Sequence, residues 1–388
     1  MKVLHCFRRY LPTTENWAFK ILENLIDVEV VITSPAFLKN NFYNSRFRYI
    51  EFPIDVFQHP TNKRKLFIRI LNFIILQVRK LYPRYVCFLA KDVDILHSHF
   101  APMAWKFHPI ALKLRVPHVI SFYGYDYEKL LFINPEWKEK YKVLFKEADM
   151  FICEGNHGAK IILQQGCPSE KISTIRLGVN VNEIPFIKRN KRKGELKLLQ
   201  IASFTEKKGH YYTVAAFIKT LETCPEMHLT LVGGDKDGVS RKRVLELIEE
   251  SHSGNKITLL ESIDFSRLYN FMEDYQVFIH PSCYASDMDC EGGAPVVLLD
   301  AQATGMPVIA TTHCDIPDEV IDKTTGLLSP EKDIEALSES IKTFYNMDEA
   351  TYNKYSFAAR KHVEENFDAS KNSKHLREIY RKLLLKSQ

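Results

Sequence analysis

Strands and helices alternate along this chain in two separate series, and that pattern constrains its fold more than any other feature. Short β-branched or aromatic runs fall at 2–7 (KVLHCF), 28–34 (VEVVITS), 94–100 (DILHSHF), 118–124 (HVISFYG), 150–155 (MFICEG) and 172–178 (ISTIRLG), with helical stretches between them. After a polar, basic stretch at 188–197 the series resumes at 196–202 (LKLLQIA), 228–233 (HLTLVG), 257–261 (ITLLE), 276–281 (QVFIHP) and 307–311 (PVIAT). Strands separated by helices predict βαβ units and parallel sheets. The expected fold is therefore α/β, with two doubly wound, Rossmann-like domains facing across a cleft. The first domain is expected at 1–185 and the second at 186–365, joined near 186–196. Residues 366–388 read as an amphipathic closing helix packing back on the first domain. A length of 388 residues suits two domains at roughly 150 residues each. In open parallel sheets ligands sit at the carboxyl ends of the strands, so residues just after strands matter most.

Several classes of protein are set aside by composition. The start, MKVLHCFRRYLP, lacks the apolar core of a secretory signal. The longest apolar stretch, 66–78, is broken by Arg69 and Asn72 and falls short of the roughly 18 apolar residues that a spanning helix needs. Eight Cys are scattered without a CxxC pair or zinc-finger spacing, which suits reduced thiols in a cytoplasmic protein and predicts no metal and no disulfide. Charge is uneven: residues 1–180 carry 26 Lys and Arg against 16 Asp and Glu, although the whole chain is only +5. The front half is thus expected to meet something anionic. Basic residues at 63–85 flank and punctuate LFIRILNFIILQV, a mixture that reads first as a core-facing helix with a solvated basic face; the alternative is peripheral contact with an anionic membrane surface. No nucleic-acid-binding motif accompanies the charge, so no nucleic-acid partner is expected.

The segment 277–311 (VFIHPSCYASDMDCEGGAPVVLLDAQATGMPVIAT) is the most informative. A strand ends at His280-Pro281, an acidic loop closes on Glu291-Gly292-Gly293-Ala294, and Pro295 opens a helix that Gly305 stops. A glycine-rich turn feeding a helix start exposes backbone N–H groups with no partner inside the helix, which suits a phosphate. Glu291 in that turn and Asp300 in the helix are carboxylates, and each ionised carboxylate accepts two or more sugar hydroxyls.

This segment resembles the nucleotide-sugar site of retaining glycosyltransferases of the GT-B fold, in the large family 4 whose signature is Glu, seven residues, then Glu. The resemblance implies that Glu291 with Gly292, Gly293 and Ala294 holds the donor's hexose and phosphates, and that Asp300 grips the ribose. Here eight residues separate the two acids and the second is Asp. The extra residue falls in the glycine-rich loop. IASFTEKKGH (201–210) resembles the family's phosphate-binding turn, Gly-Arg followed by Lys-Gly. Lys208 takes the place of its Lys, while Ser203 stands where the Arg is usual; Lys207 is one residue able to compensate. LVGGDKDG (231–238), with Gly234, resembles the family's glycine motif after the second strand, and LGVNVNEIPF (177–186) its interdomain segment.

In the first domain, HSHFAP (97–102) and PHVISFYGYDY (117–127) stand at strand ends. The second resembles a stretch in which the family has a His approaching the transferred sugar; here that position is Tyr123. A phenol with a pKa near 10 can hydrogen-bond a sugar hydroxyl but is a poor base at neutral pH. His97 and His99 alternate out of one strand and point the same way. His99 and Asp126 are assigned to the acceptor side, Asp126 orienting an acceptor hydroxyl. The loop after the first strand, FRRYLPTTENW (7–17), lacks the glycines usual in the family.

What the resemblance implies is a metal-independent, cofactor-free, retaining transfer of a sugar from a nucleotide diphosphate sugar to a glycan or polyprenyl-linked acceptor, as in capsule or lipopolysaccharide assembly at the inner face of the membrane. Lys208 and the Gly292–Gly293 amides would stabilise charge on the departing phosphate. A front-face path, in which that phosphate accepts the acceptor's proton, would explain how Tyr123 replaces a His. Two alternatives remain: a nucleotide-sugar epimerase of the same fold, and a catalytically degenerate sugar-binding module. Neither GxxxxGK[ST], HExxH, GxSxG nor GxGxxG is present at the required place.

Overall fold

The computed structural model describes residues 1–12, 16–38, 43–52 and 80–386. The chain divides into two compact units. The first comprises Met1–Glu154, Ala159–Ile175 and Ser370–Gln388; the second comprises Gly155–Gly158 and Arg176–Ala369. Among the described residues the first unit carries a seven-stranded sheet: β1 (Lys2–Cys6), β2 (Glu29–Ser34), β3 (Arg48–Glu51), β4 (Ile95–His99), β5 (His118–Ser121), β6 (Met150–Cys153) and β7 (Ile172–Thr174), in the order β3-β2-β1-β4-β5-β6-β7. The second carries six: β8 (Leu196–Ile201), β9 (Met227–Val232), β10 (Ile257–Leu260), β11 (Val277–His280), β12 (Val308–Thr311) and β13 (Gly326–Ser329), in the order β10-β9-β8-β11-β12-β13. All pairings are parallel. Each sheet therefore reverses direction beside its first strand, the arrangement that opens a crevice at the strands' carboxyl ends.

Side-chain alternation explains the near-continuous apolar strands. In the first sheet Val3, Ile32, Ile95 and Val119 face one layer, while Leu4, Val31 and Leu96 face the other. The second layer is the helix Ala101–Leu114 together with helical residues 80–89, through Phe107, Ile110, Tyr82 and Val86. The first is covered by Leu376, Ile379, Tyr380 and Leu383 of the closing helix Ala369–Lys386, which belongs to the first unit from Ser370 onward.

Three features differ from the sequence reading. Two strands escape it, β3 (RYIE) and β13 (GLLS), and each is the edge of its sheet. An edge strand is paired on one side only, so its sequence need not carry a long apolar run. Secondly, the division falls at 175/176 rather than 185/186. Residues 176–185 bond into the second unit: Arg176 pairs with Asp318 at 2.9 Å, Val179 exchanges backbone bonds with Phe367 and Ala369, and Arg360 Nη1 donates to Ile184 O at 2.7 Å. Thirdly, the basic stretch around 188–197, where the two domains were expected to join, lies inside the second unit and packs into it. Arg189, 3% exposed, donates to the carbonyls of Ile187, Met272, Tyr275 and Thr304 and to the Thr304 hydroxyl. Lys191 is also buried, and burial lowers its ammonium to about 8; it donates to the carbonyls of Arg192, Tyr345 and Met347. Of the basic segment 63–85, 63–79 lie outside the described residues; within 80–85, Lys80, Leu81 and Arg84 are exposed. Among the described residues no helix is long and apolar enough to cross a membrane.

A layer of neutral histidines crosses the first sheet. His5 on β1 pairs in register with His97 on β4, and the rings of His97 and His99 stack 4.5 Å apart. His97 bonds Tyr380 Oη at 2.6 Å and Ser121 Oγ at 2.8 Å. Burial lowers His5 and His118 to about 3 and holds His97 and His99 well below the usual range.

Between pH 6.5 and 3 the unfolded chain binds protons at these four histidines and the native chain does not, so stability falls as pH falls through that window, by roughly 1.4 kcal/mol per pH unit per histidine. Asp126, raised to about 7 by burial, works the other way: the native state keeps a proton that the unfolded state releases above about 3.9, offsetting one histidine. Urea midpoints measured from pH 7 to 4 should therefore decline steeply; a flat profile would mean that the histidines are charged in the native state. Arg189→Lys, which cannot replace a fork spread over four carbonyls, should cost about 2–3 kcal/mol in the same assay.

Candidate functional site

The second unit brings the turn after β8 against the loop after β11, because those two strands are neighbours in the sheet. A single helical turn, Glu206–Lys208, ends on Gly209 at φ +67. A Cβ there would lie 2.0 Å from the Pro281 carbonyl oxygen, so only glycine lets the turn lie so close to the end of β11. Gln200 donates to the Lys208 carbonyl at 2.8 Å, and Lys207 O accepts the Cys283 N–H at 2.9 Å.

Lys208 and Glu291 meet across this junction. Lys208 Nζ donates to Glu291 Oε2 at 2.7 Å, and their side chains are 18% and 6% exposed. Ser282 Oγ donates to the other oxygen, Oε1, at 2.8 Å, with the buried His280 Nε2 3.8 Å away. Burial alone would raise the Glu291 carboxyl, yet Lys208, His280 and Lys207 hold it well below the usual carboxylate range. The site thus holds an ionised carboxylate with little water. Lys207 donates to Asp289 Oδ1 at 3.1 Å and to Cys290 O at 2.8 Å. Two of its three donors are thus committed to the acidic loop, which it anchors.

The turn beyond Glu291 supplies backbone donors. Gly292 sits at φ +83, a conformation that favours glycine, and Gly293 O accepts the Asp315 N–H at 3.1 Å. Pro295 immediately precedes the helix Val296–Ala303. Among the described residues no acceptor meets the N–H groups of Gly293, Ala294, Val296 and Val297. The helix ends as its sequence predicts. Gly305, at φ +80, donates to Gln302 O, and Met306 donates to Ala301 O. Asp300, 6% exposed, lies within that helix and accepts the Tyr269 hydroxyl at 3.0 Å.

The glycines after β9 divide their roles. Gly233 is sterically required, since a Cβ would lie 1.8 Å from Ala202 O and 3.3 Å from Ser203 Cα. Gly234 faces open space, and its carbonyl accepts the Phe204 N–H at 3.0 Å. Together they join the loops carrying Ser203 and Gly234.

In the first unit Tyr123, His99 and Asp126 lie together. Tyr123 Oη is 2.7 Å from His99 Nδ1, and His99 Nε2 is 3.1 Å from His5 Nδ1. Asp126 is fully buried, and its oxygens accept the backbone N–H groups of Ala101 at 2.9 Å and Tyr123 at 3.0 Å. Both oxygens are thus bound to backbone, and Asp126 shapes the turn carrying Tyr123 where the sequence reading had it orient an acceptor. His5, His97 and His99 are the one group of possible metal ligands among the described residues, with donor atoms within 4.8 Å of one another. Five of their six ring nitrogens are already hydrogen-bonded, and only His5 Nε2 has no partner.

Sequence reasoning missed two residues beside Glu291. His313 Nε2 is 3.2 Å from the Glu291 backbone N, and His313 Nδ1 is 2.7 Å from Glu331 Oε1. His313 follows the recognised run PVIAT and was visible on the rule that strand ends matter. Glu331 follows β13, which the pattern did not reveal.

Comparison with known proteins agrees with this architecture. The model of glycosyl transferases group 1 matches residues 182–362, and that of glycosyltransferase family 4 matches residues 22–183. WcaL of Escherichia coli, named for colanic acid biosynthesis, is 28% identical over 281 residues, covering 71% of this chain and 67% of its own. The amylovoran biosynthesis glycosyltransferase AmsK of Erwinia amylovora is 28% identical over 298 residues, covering 76% and 71%. The structure of Anabaena HepE in complex with UDP and glucose superposes with a TM-score of 0.73 at 15% identity, covering 98% of this chain and 99% of its own. With two Rossmann-like units and family models spanning both, this chain belongs to the glycosyl transferases group 1 and is a glycosyltransferase of the GT-B fold.

Proposed function

We propose that this protein transfers a sugar, with retention of anomeric configuration and without a metal ion, from a nucleotide diphosphate sugar to a glycan or polyprenyl-linked acceptor in exopolysaccharide synthesis. The observation that carries the reading is the buried Lys208–Glu291 pair set beside a run of backbone N–H groups without acceptors. An ammonium has three donors; one engages Glu291, leaving others for a diphosphate oxygen. Charge that grows on the leaving phosphate meets Lys208 and the amides of the Gly293–Val297 turn, all fixed before the reaction begins. Glu291 takes hexose hydroxyls and Asp300 the ribose, with Gly292, Gly293, Ala294, Ser203 and Gly234 lining the donor. On the acceptor side Tyr123, backed by His99 and with its own N–H held by Asp126, offers a phenol to a hydroxyl. The names of WcaL and AmsK support the exopolysaccharide setting, and the UDP and glucose bound to HepE support the donor class. The basic front half, including exposed Lys80 and Arg84, fits a cytoplasmic enzyme resting on the anionic inner face of the membrane.

A thermal-shift panel of UDP-, GDP- and dTDP-sugars tests the donor site. At least one should raise the Tm of the wild type by several degrees, while Glu291→Ala, Asp300→Ala and Lys208→Ala lose most of that shift. Lys208→Ala should also lower the ligand-free stability by about 3 kcal/mol, because it leaves the Glu291 carboxylate buried without its partner. Equal shifts in all four proteins would remove the assignment.

A further inference from the structure

The loop 282–291 is held along its whole length. Glu206 Oε2 accepts the N–H and hydroxyl of Ser286 at 3.0 and 2.7 Å, and Lys207 grips Asp289 and Cys290. These contacts secure the middle. Both ends lead to one carboxylate. Glu331 Oε2 accepts the Tyr284 N–H at 2.9 Å, and Oε1 faces His313 Nδ1 at 2.7 Å. His313 is fully buried, with the Tyr284 ring edge-on at 4.9 Å, and its Nε2 meets the Glu291 N–H at 3.2 Å.

These contacts settle the tautomer. A backbone N–H can only donate, so Nε2 carries the lone pair and Nδ1–H is given to Glu331. Cys314 Sγ, 3.1 Å from the same Nε2, adds a thiol donor on the same side. The order is thus carboxylate to imidazole to backbone amide. It ends on the residue whose side chain meets Lys208 and Ser282.

We infer that Glu331 and His313 are positioning residues: together they fix the Glu291 peptide and so the place at which its carboxylate meets the donor's sugar. This rests on the reading of Glu291 as the hexose-binding acid. Gly292, the next residue, sits at φ +83, a conformation that favours glycine, so the chain turns sharply directly after the peptide that His313 meets. Displacements of about 1 Å in such groups cost on the order of a hundredfold in rate. Neither residue needs to touch the ligand.

The test uses the full chain carrying Glu331→Gln, His313→Ala or His313→Gln, the last retaining an oxygen that can accept the Glu291 N–H. Two quantities are read: amide hydrogen exchange across 284–292, and affinity for the sugar nucleotide giving the largest shift in the panel above, relative to the same nucleoside diphosphate without sugar. Glu331→Gln and His313→Ala should exchange about tenfold faster in 284–292, with β8 and β11 unchanged. They should lose about tenfold in affinity for the sugar nucleotide while binding the bare diphosphate within about twofold of wild type. His313→Gln should restore most of both. Unchanged exchange in His313→Ala overturns the inference, as does faster exchange with the sugar-dependent affinity intact. If no sugar nucleotide binds the wild type, the donor reading fails, and the exchange result alone decides whether the pair holds the loop.

Discussion

A desolvated ion pair between residues 83 apart in sequence, Lys208 and Glu291, organises the second unit's functional end. It forms because β8 and β11 are adjacent and parallel, so the segments leaving them emerge side by side. Two buried charges are tolerable only when each meets the other and the remaining lone pairs and protons are satisfied. Ser282 supplies one such bond to Glu291, and Gly209 permits the approach that lets Lys208 arrive. Much of the local chain follows from that requirement: Lys207 on the acidic loop, Glu206 on Ser286, and the Glu331–His313 pair on the loop's two ends.

The first unit uses the same topology with different chemistry. Where the second places charges beyond its strands, the first runs a neutral hydrogen-bonded chain from Tyr123 through His99 to His5. Burial keeps those histidines uncharged, so the chain rigidifies the phenol without adding a field. Tyr380 ties the closing helix to the same layer through His97. Packing of the first unit therefore depends on residues nearly three hundred positions downstream, and its histidine layer is completed only when the last helix docks.

How much of this was legible in the sequence follows from where the constraints lie. Central strands are apolar on both faces and are plain in the sequence; of the four edge strands, β7 and β10 are legible as well, whereas the four-residue β3 and β13 are not. The helix from Val296 was read closely because Pro295 and Gly305 are local signals with local causes. Nothing in the sequence marks Arg189 and Lys191 as buried, because their partners, the carbonyls of Met272, Thr304 and Tyr345, lie about 80 to 150 positions away. Asp126 was assigned to an acceptor for the same reason: a carboxylate near a strand end looks alike whether it faces a ligand or two amides. Glu331 stayed hidden because the strand before it did.

Ser203 in place of the usual Arg leaves a question that the geometry narrows. Lys207 gives two of its three donors to Asp289 and the Cys290 carbonyl, which commits most of it to the acidic loop. On the proposed reading, a diphosphate would be balanced chiefly by Lys208, itself shared with Glu291, and by neutral donors. A helix N-terminus carries the equivalent of about half a positive charge, concentrated in its first unpaired N–H groups. Val296 and Val297 carry two such groups, and Gly293 and Ala294 add two more just ahead of the helix. The loop must then be stiff, because amides displaced by an ångström lose most of what a flexible guanidinium would keep. On the same reading, the side chains that hold 282–291 offset the missing arginine by fixing those amides.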